Sequence, residues 1–194
     1  MKTANPAPGT RQRLLDAAIA LMRRSGLSGA GINEIVRESG APKGSVYHFF
    51  PGGKQQIVTE GLASYTQHVV AFMDASLSSK RRPADKIRAL FGAFAERIEE
   101  GEFRHSCPAA TVCLDLDPRL EGLRLVVAGA FGQYMKAIES HFTFRDRRRA
   151  ASFAGLVLTA IEGAYVRARA DRSSRPFREA GAWLAGLVER EAIG

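Results

Sequence analysis

The chain is poor in the residues that most often advertise chemistry. Of its 194 residues only two are cysteine, four are histidine and one is tryptophan. Two cysteines, Cys107 and Cys113, cannot make a disulfide framework, so stability has to come from packing. They also stand six positions apart, outside the CxxC spacing of zinc and dithiol sites, and neither a metal nor a cofactor is expected. No apolar run approaches the roughly 20 residues that a membrane span needs, and the start, MKTANPAPGT, lacks the apolar core of a secretory signal. The expectation is a cytoplasmic protein with no membrane partner. No alternating apolar and polar series marks strands, no repeat recurs, and no Ser/His/Asp or paired-carboxylate pattern stands out as a catalytic set.

What is present is an excess of positive charge, unevenly placed. The formal net charge is +8, and residues 1–54 supply +5 of it, with eight Lys or Arg against three Asp or Glu. Positive charge localised in this way points to a polyanionic partner for an N-terminal module.

The rest of the text reads as helices with punctuated turns. After a Pro/Gly-rich tail to Gly9, Thr10 suits an N-cap, and Leu14, Ala18, Leu21 and Met22 share a stripe that stops at Gly26. GINEIVRESG follows as a short helix, with Gly31 as cap, Glu34 at its N-terminal turn, and Gly40 as stop. Pro42 suits the first position of a third helix, in which Val46, Phe49 and Phe50 face inward and Gly44, Tyr47 and His48 face outward. Later patterns cover approximately 54–78, 84–101, 107–116, 118–142, 146–170 and 176–191. RDRRR, from Arg145 to Arg149, reads as a solvated helix start.

The stretch APKGSVYHFFPGGK invites two readings. A phosphate loop needs Gly, four residues, then Gly-Lys-Ser/Thr, because backbone amides wrap the phosphates and the hydroxyl holds magnesium. Here His48 stands where the first glycine is required and Gln55 where the hydroxyl is required, so a nucleotide-binding enzyme is the weaker alternative. The other reading is helix, tight turn, helix, with the second helix entering the DNA major groove by its N-terminal half. Gly44 permits close approach, Tyr47 and His48 reach base edges or phosphate, and Lys43 and Ser45 add a cation and a hydroxyl. Lys54 and the amides at the next helix start clamp backbone phosphate. Thr10 and Arg11 are added as DNA-binding candidates from the first helix, whose cationic start, Arg11 and Arg13, has two open readings, a phosphate contact or a solvated face.

Residues Thr10 to Leu62, TRQRLLDAAIALMRRSGLSGAGINEIVRESGAPKGSVYHFFPGGKQQIVTEGL, closely resemble the N-terminal domain of the tetracycline-repressor (TetR/AcrR) family of bacterial transcriptional regulators. The Lys-Gly-Ser-x-Tyr-His-x-Phe core is the most specific part. The Pro-Gly-Gly-Lys turn and the later CPAATVCLDL are similar to the subgroup that includes the lincomycin-resistance regulator. Gly31 departs from the frequent threonine cap, and Pro42 from the frequent serine cap.

The resemblance implies an all-α fold: residues 1–53 as a three-helix helix-turn-helix DNA-binding domain with a short disordered tail, and 54–194 as an effector-binding and dimerisation domain. It implies a homodimer on a palindromic double-stranded operator, most often a repressor released by a small hydrophobic effector, without enzymatic activity. Phe94, Cys107, Phe131, Tyr134, Met135 and Phe153 are the candidates for the effector pocket. Ala154, Leu158, Ile161 and Tyr165 make one apolar stripe, and Trp183, Leu184 and Leu187 another; both are expected at the dimer interface. An alternative replaces the ligand by thiol oxidation at Cys107 or Cys113.

Overall fold

The computed structural model describes residues 9–117 and 119–191. The tail expected ahead of Gly9, and Pro118 at the expected start of one helix, lie outside them. Among the described residues there are nine helices and no strand: α1 (Thr10–Gly29), α2 (Ile32–Ser39), α3 (Lys43–Phe49), α4 (Gly53–Ser78), α5 (Pro83–Glu100), α6 (Pro108–Leu114), α7 (Glu121–Glu139), α8 (Arg147–Asp171) and α9 (Arg175–Glu191). None of them is long and apolar enough to cross a membrane.

The boundaries follow from local chemistry. Pro83 and Pro108 occupy first-turn positions of α5 and α6, where a missing N–H costs nothing. Asp146 caps α8, its carboxylate accepting from the Arg148 backbone N–H at 2.9 Å. Gly40 ends α2 in the left-handed conformation, φ 62°. Starts differ from the sequence expectation by one residue at most of the helices and by three at α7, expected from about 118 and found from Glu121. Gly9 rather than Thr10 is the N-cap of α1, its carbonyl accepting from the Arg13 N–H at 3.0 Å. Pro42 is the N-cap of α3 rather than its first residue, its carbonyl accepting from the Ser45 N–H at 2.9 Å.

Helix α1 does break at Gly26, as its stripe suggests, but helix resumes for one more turn to Gly29. Gly26 has φ 68° and ψ −166°, a conformation essentially closed to other residues. A side chain there would also run into the carboxylate of Asp115.

The first three helices fold around α1, whose Leu14, Leu15, Ala18 and Met22 are buried together with Ile35, Val46 and Phe50. This core continues without interruption into the remaining helices. α4 packs along α7 and α1, α5 lies against α9, α8 packs on α7 and α9, and α6 fills the space between α1 and α7. Gly181 lets α9 approach α5 closely, since a Cβ there would strike Phe91.

Candidate nucleic-acid interface and adjoining groove

Helix α3 is held by its inner face and free on its outer one. Val46 and the C-capping Phe50 are fully buried, whereas Phe49 is half-buried with its ring edge against His48, centroids 4.8 Å apart. Lys43, Gly44 and His48 are exposed, Ser45 is half-buried, and Tyr47 is 59% exposed, large for an aromatic side chain. A Cβ at Gly44 would meet nothing within 4 Å, so at that point the helix backbone itself faces open space. The five positions expected to read bases thus occupy one short helix with a clear approach.

The three flanking DNA-binding candidates have partners within the protein. Arg11 pairs with Glu60 and stacks over the Phe50 ring, 5.0 Å from its centroid, which ties α1 to α4. Thr10 accepts from Arg13 through its hydroxyl at 3.3 Å. Lys54 donates to the Leu27 carbonyl at 2.7 Å; burial lowers the pKa of its ammonium, with Asp115 partly opposing. The Gly52 N–H at the turn into α4 is taken by the Gln56 side chain at 2.9 Å. SVYHFF is helical, and Gly53 has φ 61° in the turn that follows it, so the strand that must precede a phosphate loop is not there.

Two positioning arginines gave no distinctive sequence signal. Arg13 reaches the Ser39 carbonyl at the end of α2 at 3.4 Å, and Arg24 pairs with Glu38 at 3.0 Å. Both fix α2, and through it α3, on α1.

The end of α1 is joined to α6 and α8. Thr111 donates to the Met22 carbonyl at 2.7 Å, the Ser106 N–H to the Arg23 carbonyl at 2.9 Å, and the Ser28 N–H to Asp115 at 2.9 Å. Arg169 of α8 bridges the Ser106 hydroxyl at 3.1 Å and the Arg24 carbonyl at 3.3 Å. Each such bond contributes about 1 kcal/mol net; together they fix one register between the two parts.

Beside this joint an open groove of about 1080 Å³ runs between α6, α7 and α8. Phe131 and Met135, both expected in an effector pocket, line it along with Leu114, Leu158 and Val166. Phe94, Cys107 and Tyr134 lie behind it around a cavity with only about 10 Å³ of free space, barely enough for one water. Glu162 and Tyr165 are walls of both spaces. Phe153 is elsewhere, with its ring 5.4 Å from those of Phe142 and Phe144.

Glu162 is a site residue that no sequence motif marks. Its signal was a single acid inside the apolar run LTAIEGAYV. Burial pushes its carboxyl up to about 7, and the Cys107 thiol is its polar neighbour. Burial likewise raises Cys107 well above the usual thiol range, with Glu162 adding to the rise, which keeps it protonated and a poor nucleophile. Cys113 is exposed on the groove wall. Among the described residues no group of three or more His, Cys, Asp or Glu is placed to hold a metal.

The apolar stripes expected at a dimer face are placed differently from one another. Ala154, Leu158, Ile161, Tyr165 and Leu184 are buried within the protomer, and Leu187 is half-buried. Trp183 is 83% exposed, and Leu156 and Val166 are exposed on α8.

Comparison with known proteins bears on both parts of the chain. Residues 83–182 match the family model described as "Transcriptional regulator LmrA/YxaF-like, C-terminal domain", and residues 14–60 match "Bacterial regulatory proteins, tetR family". The HTH-type transcriptional regulator LmrA of Bacillus subtilis (strain 168) is 26% identical over 183 residues, spanning 93% of this chain and 97% of that protein. The crystal structure of a regulatory protein TetR from Rhodobacter sphaeroides shares the fold with a TM-score of 0.82 at 19% identity, covering 95% of this chain and 99% of its own. A cysteine mutant of the TetR family regulator CifR, solved with 26-bp double-strand operator DNA, has a TM-score of 0.78 at 17% identity over 95% of this chain and 100% of its own.

Proposed function

The chain belongs to the TetR family of bacterial regulatory proteins, in the branch with an LmrA/YxaF-like C-terminal domain, and is a DNA-binding transcriptional regulator rather than an enzyme; we propose that it is a cytoplasmic, homodimeric repressor released from a palindromic operator by a small hydrophobic effector. The observation that carries this reading is the joint between the α6–α8 groove and the end of α1, the helix on which α2 and α3 are mounted. A ligand that wedges α6 away from α7 and α8 strains those bonds and re-aims α3. Operator affinity then falls by the ligand's differential affinity for the two arrangements.

In this reading residues 1–53 bind DNA and residues 54–194 bind the effector and the partner subunit. Lys43, Gly44, Ser45, Tyr47 and His48 enter the major groove. Thr10, Arg11 and Lys54 flank them, and phosphate there competes with Glu60 for Arg11 and with the Leu27 carbonyl for Lys54. Phe131 and Met135 belong to the effector groove, with Phe94, Cys107 and Tyr134 behind it. The bundle that joins two subunits uses the exposed side of α8 and α9, where Leu156, Val166, Trp183 and Leu187 lie, over the buried stripe beneath. That a structural neighbour was solved on operator DNA supports the operator side of the reading.

In the thiol-responsive alternative the buried, protonated Cys107 lacks the accessible thiolate that oxidation needs, which leaves the exposed Cys113 as the thiol that would have to carry it. The deciding experiment is gel-shift titration on the protein's own upstream DNA with a panel of apolar compounds, repeated after peroxide. Release by a compound, with peroxide inert, upholds the effector reading; release by peroxide, lost when both cysteines become serine, overturns it.

A further inference from the structure

We infer that the groove between α6, α7 and α8 takes a lipophilic amine, with its ammonium paired to the Glu162 carboxylate and its apolar body on the groove wall. This rests on the reading of the groove as the effector site and names the chemistry that the site selects.

Three observations converge. Glu162 is the acid that lines both the groove and the cavity behind it, and it takes part in none of the ion pairs among the described residues. A carboxylate set among apolar side chains without a cation is costly, and chains rarely keep one without a use for it. Around it stand aromatic faces: Tyr165 is shared by groove and cavity, Tyr134 and Phe94 lie behind, and Phe131 is on the groove wall. A carboxylate framed by aromatic rings is a site for an organic cation, which gains both the ion pair and the ring quadrupoles. The Tyr134 hydroxyl is fully buried on the cavity side with the Thr66 hydroxyl beside it, and among the described residues it accepts no hydrogen bond. It remains available to an N–H donor that draws Glu162 and the cavity open.

The charged and titratable groups nearby do not supply that cation. Arg169, two turns along α8, lines the same groove, but its guanidinium is held by Ser106 and the Arg24 carbonyl. Arg97 of α5 and Arg23 of α1 lie over the Tyr65 ring of α4, 5.8 and 5.4 Å from its centroid, and Arg97 also donates to the Tyr65 hydroxyl. Cys107 at the start of α6 and the tyrosines of α4, α7 and α8 are held neutral by burial. An anionic effector would face the Glu162 carboxyl, and the one cation on the groove lining among the described residues, Arg169, is already engaged.

The test uses two molecules of one shape, adamantylamine and adamantanol, titrated calorimetrically into the full-length protein and into Glu162→Gln. At about pH 8 the amine should bind the native protein at least about tenfold more tightly than the alcohol. In Glu162→Gln that preference should vanish while the alcohol's affinity stays. Lowering the pH to about 6 protonates most of the carboxyl, so amine affinity for the native protein should fall about tenfold and the alcohol's should not move. The pH series needs no variant, so it stands even where the substitution disturbs folding. Equal affinities for the two probes, a preference that survives in Glu162→Gln, or an amine affinity indifferent to pH would overturn the role of Glu162 and leave the groove as an apolar site. Binding of neither probe would overturn the groove as a small-molecule site altogether.

Discussion

The carboxylate of Asp115 accepts a hydrogen bond from the backbone N–H of Ser28 at 2.9 Å, fastening the end of α6 to the short turn that follows the break in α1 at Gly26. Only glycine fits at position 26, because its backbone is in the region closed to side chains and because the carboxylate fills the space where a Cβ would be. The sequence break at Gly26 is therefore both a helix stop and a seat for α6. Lys54 is drawn to the same turn through the Leu27 carbonyl, so the start of α4 meets α1 and α6 at one point.

Replacing Asp115 by alanine should cost about 1 kcal/mol in urea unfolding, the worth of a hydrogen bond to a charged group at an exposed site. Gly26→Ala should cost more, about 2–4 kcal/mol, since it adds backbone strain and evicts the carboxylate. A Gly26→Ala protein as stable as the native one would show that this turn does not set the register of α6 on α1.

Tyr47→Ala and His48→Ala should leave the melting temperature nearly unchanged, both side chains being exposed. Each should lower operator affinity by about 1–3 kcal/mol and relax the preference among related sites. Lys54→Ala should weaken binding to every sequence alike and also lower stability, because its ammonium bonds Leu27. Binding selections on a randomised half-site separate the two patterns; an equal loss on all sequences for the three variants would contradict the assignment of readers.

Glu162 ties stability to pH. Its folded pKa of about 7 lies above the value of an unfolded glutamate, so its stabilising contribution is complete in acid and is lost as pH rises through about 7. Glu162→Gln removes that dependence. The variant should gain on the order of 3 kcal/mol over the native protein at about pH 8, as an upper bound, and gain little at about pH 5. Denaturant midpoints across that range give the answer, and parallel curves for the two proteins would show that the carboxyl is not desolvated.

Trp183→Glu should leave the protomer folded, because the indole is 83% exposed, and should convert the proposed dimer to a monomer. Light scattering at micromolar concentration reports the mass directly. A native protein already monomeric, or a variant still dimeric, would remove α9 from the interface.

How much of this was legible in the sequence depends on what each signal encodes. Pro83, Pro108, Gly40 and Gly26 act within a few residues of themselves, so helix boundaries could be read from local punctuation to within one to three residues, the widest misses being both ends of α7 and the end of α1. The outer face of α3 was legible for the same reason, since Val46 and Phe50 fix which side is inward. The stripe Ala154, Leu158, Ile161 and Tyr165 shows that a face is buried but not what covers it; within the protomer it lies against the protein's own helices. Trp183, in contrast, is a large apolar group left outside. The engagement of Arg11 and Lys54 depends on Glu60 and Leu27, residues about 50 and 30 positions away, and no local pattern announces such pairings. Glu162 was visible as an acid in an apolar run, yet its significance lies in the two spaces it separates, which only the packing of α6 and α7 creates.

The most direct test of a sequence-specific regulator is footprinting of the purified protein on the DNA flanking its own coding region, with salt titrated and unrelated DNA as competitor. The expected result is one protected palindrome whose half-sites are centred about one helical turn or a small multiple apart, surviving competitor at moderate salt. Protection that is weak, indifferent to sequence and abolished by modest salt would contradict it, and would reduce the basic N-terminal module to an electrostatic DNA binder.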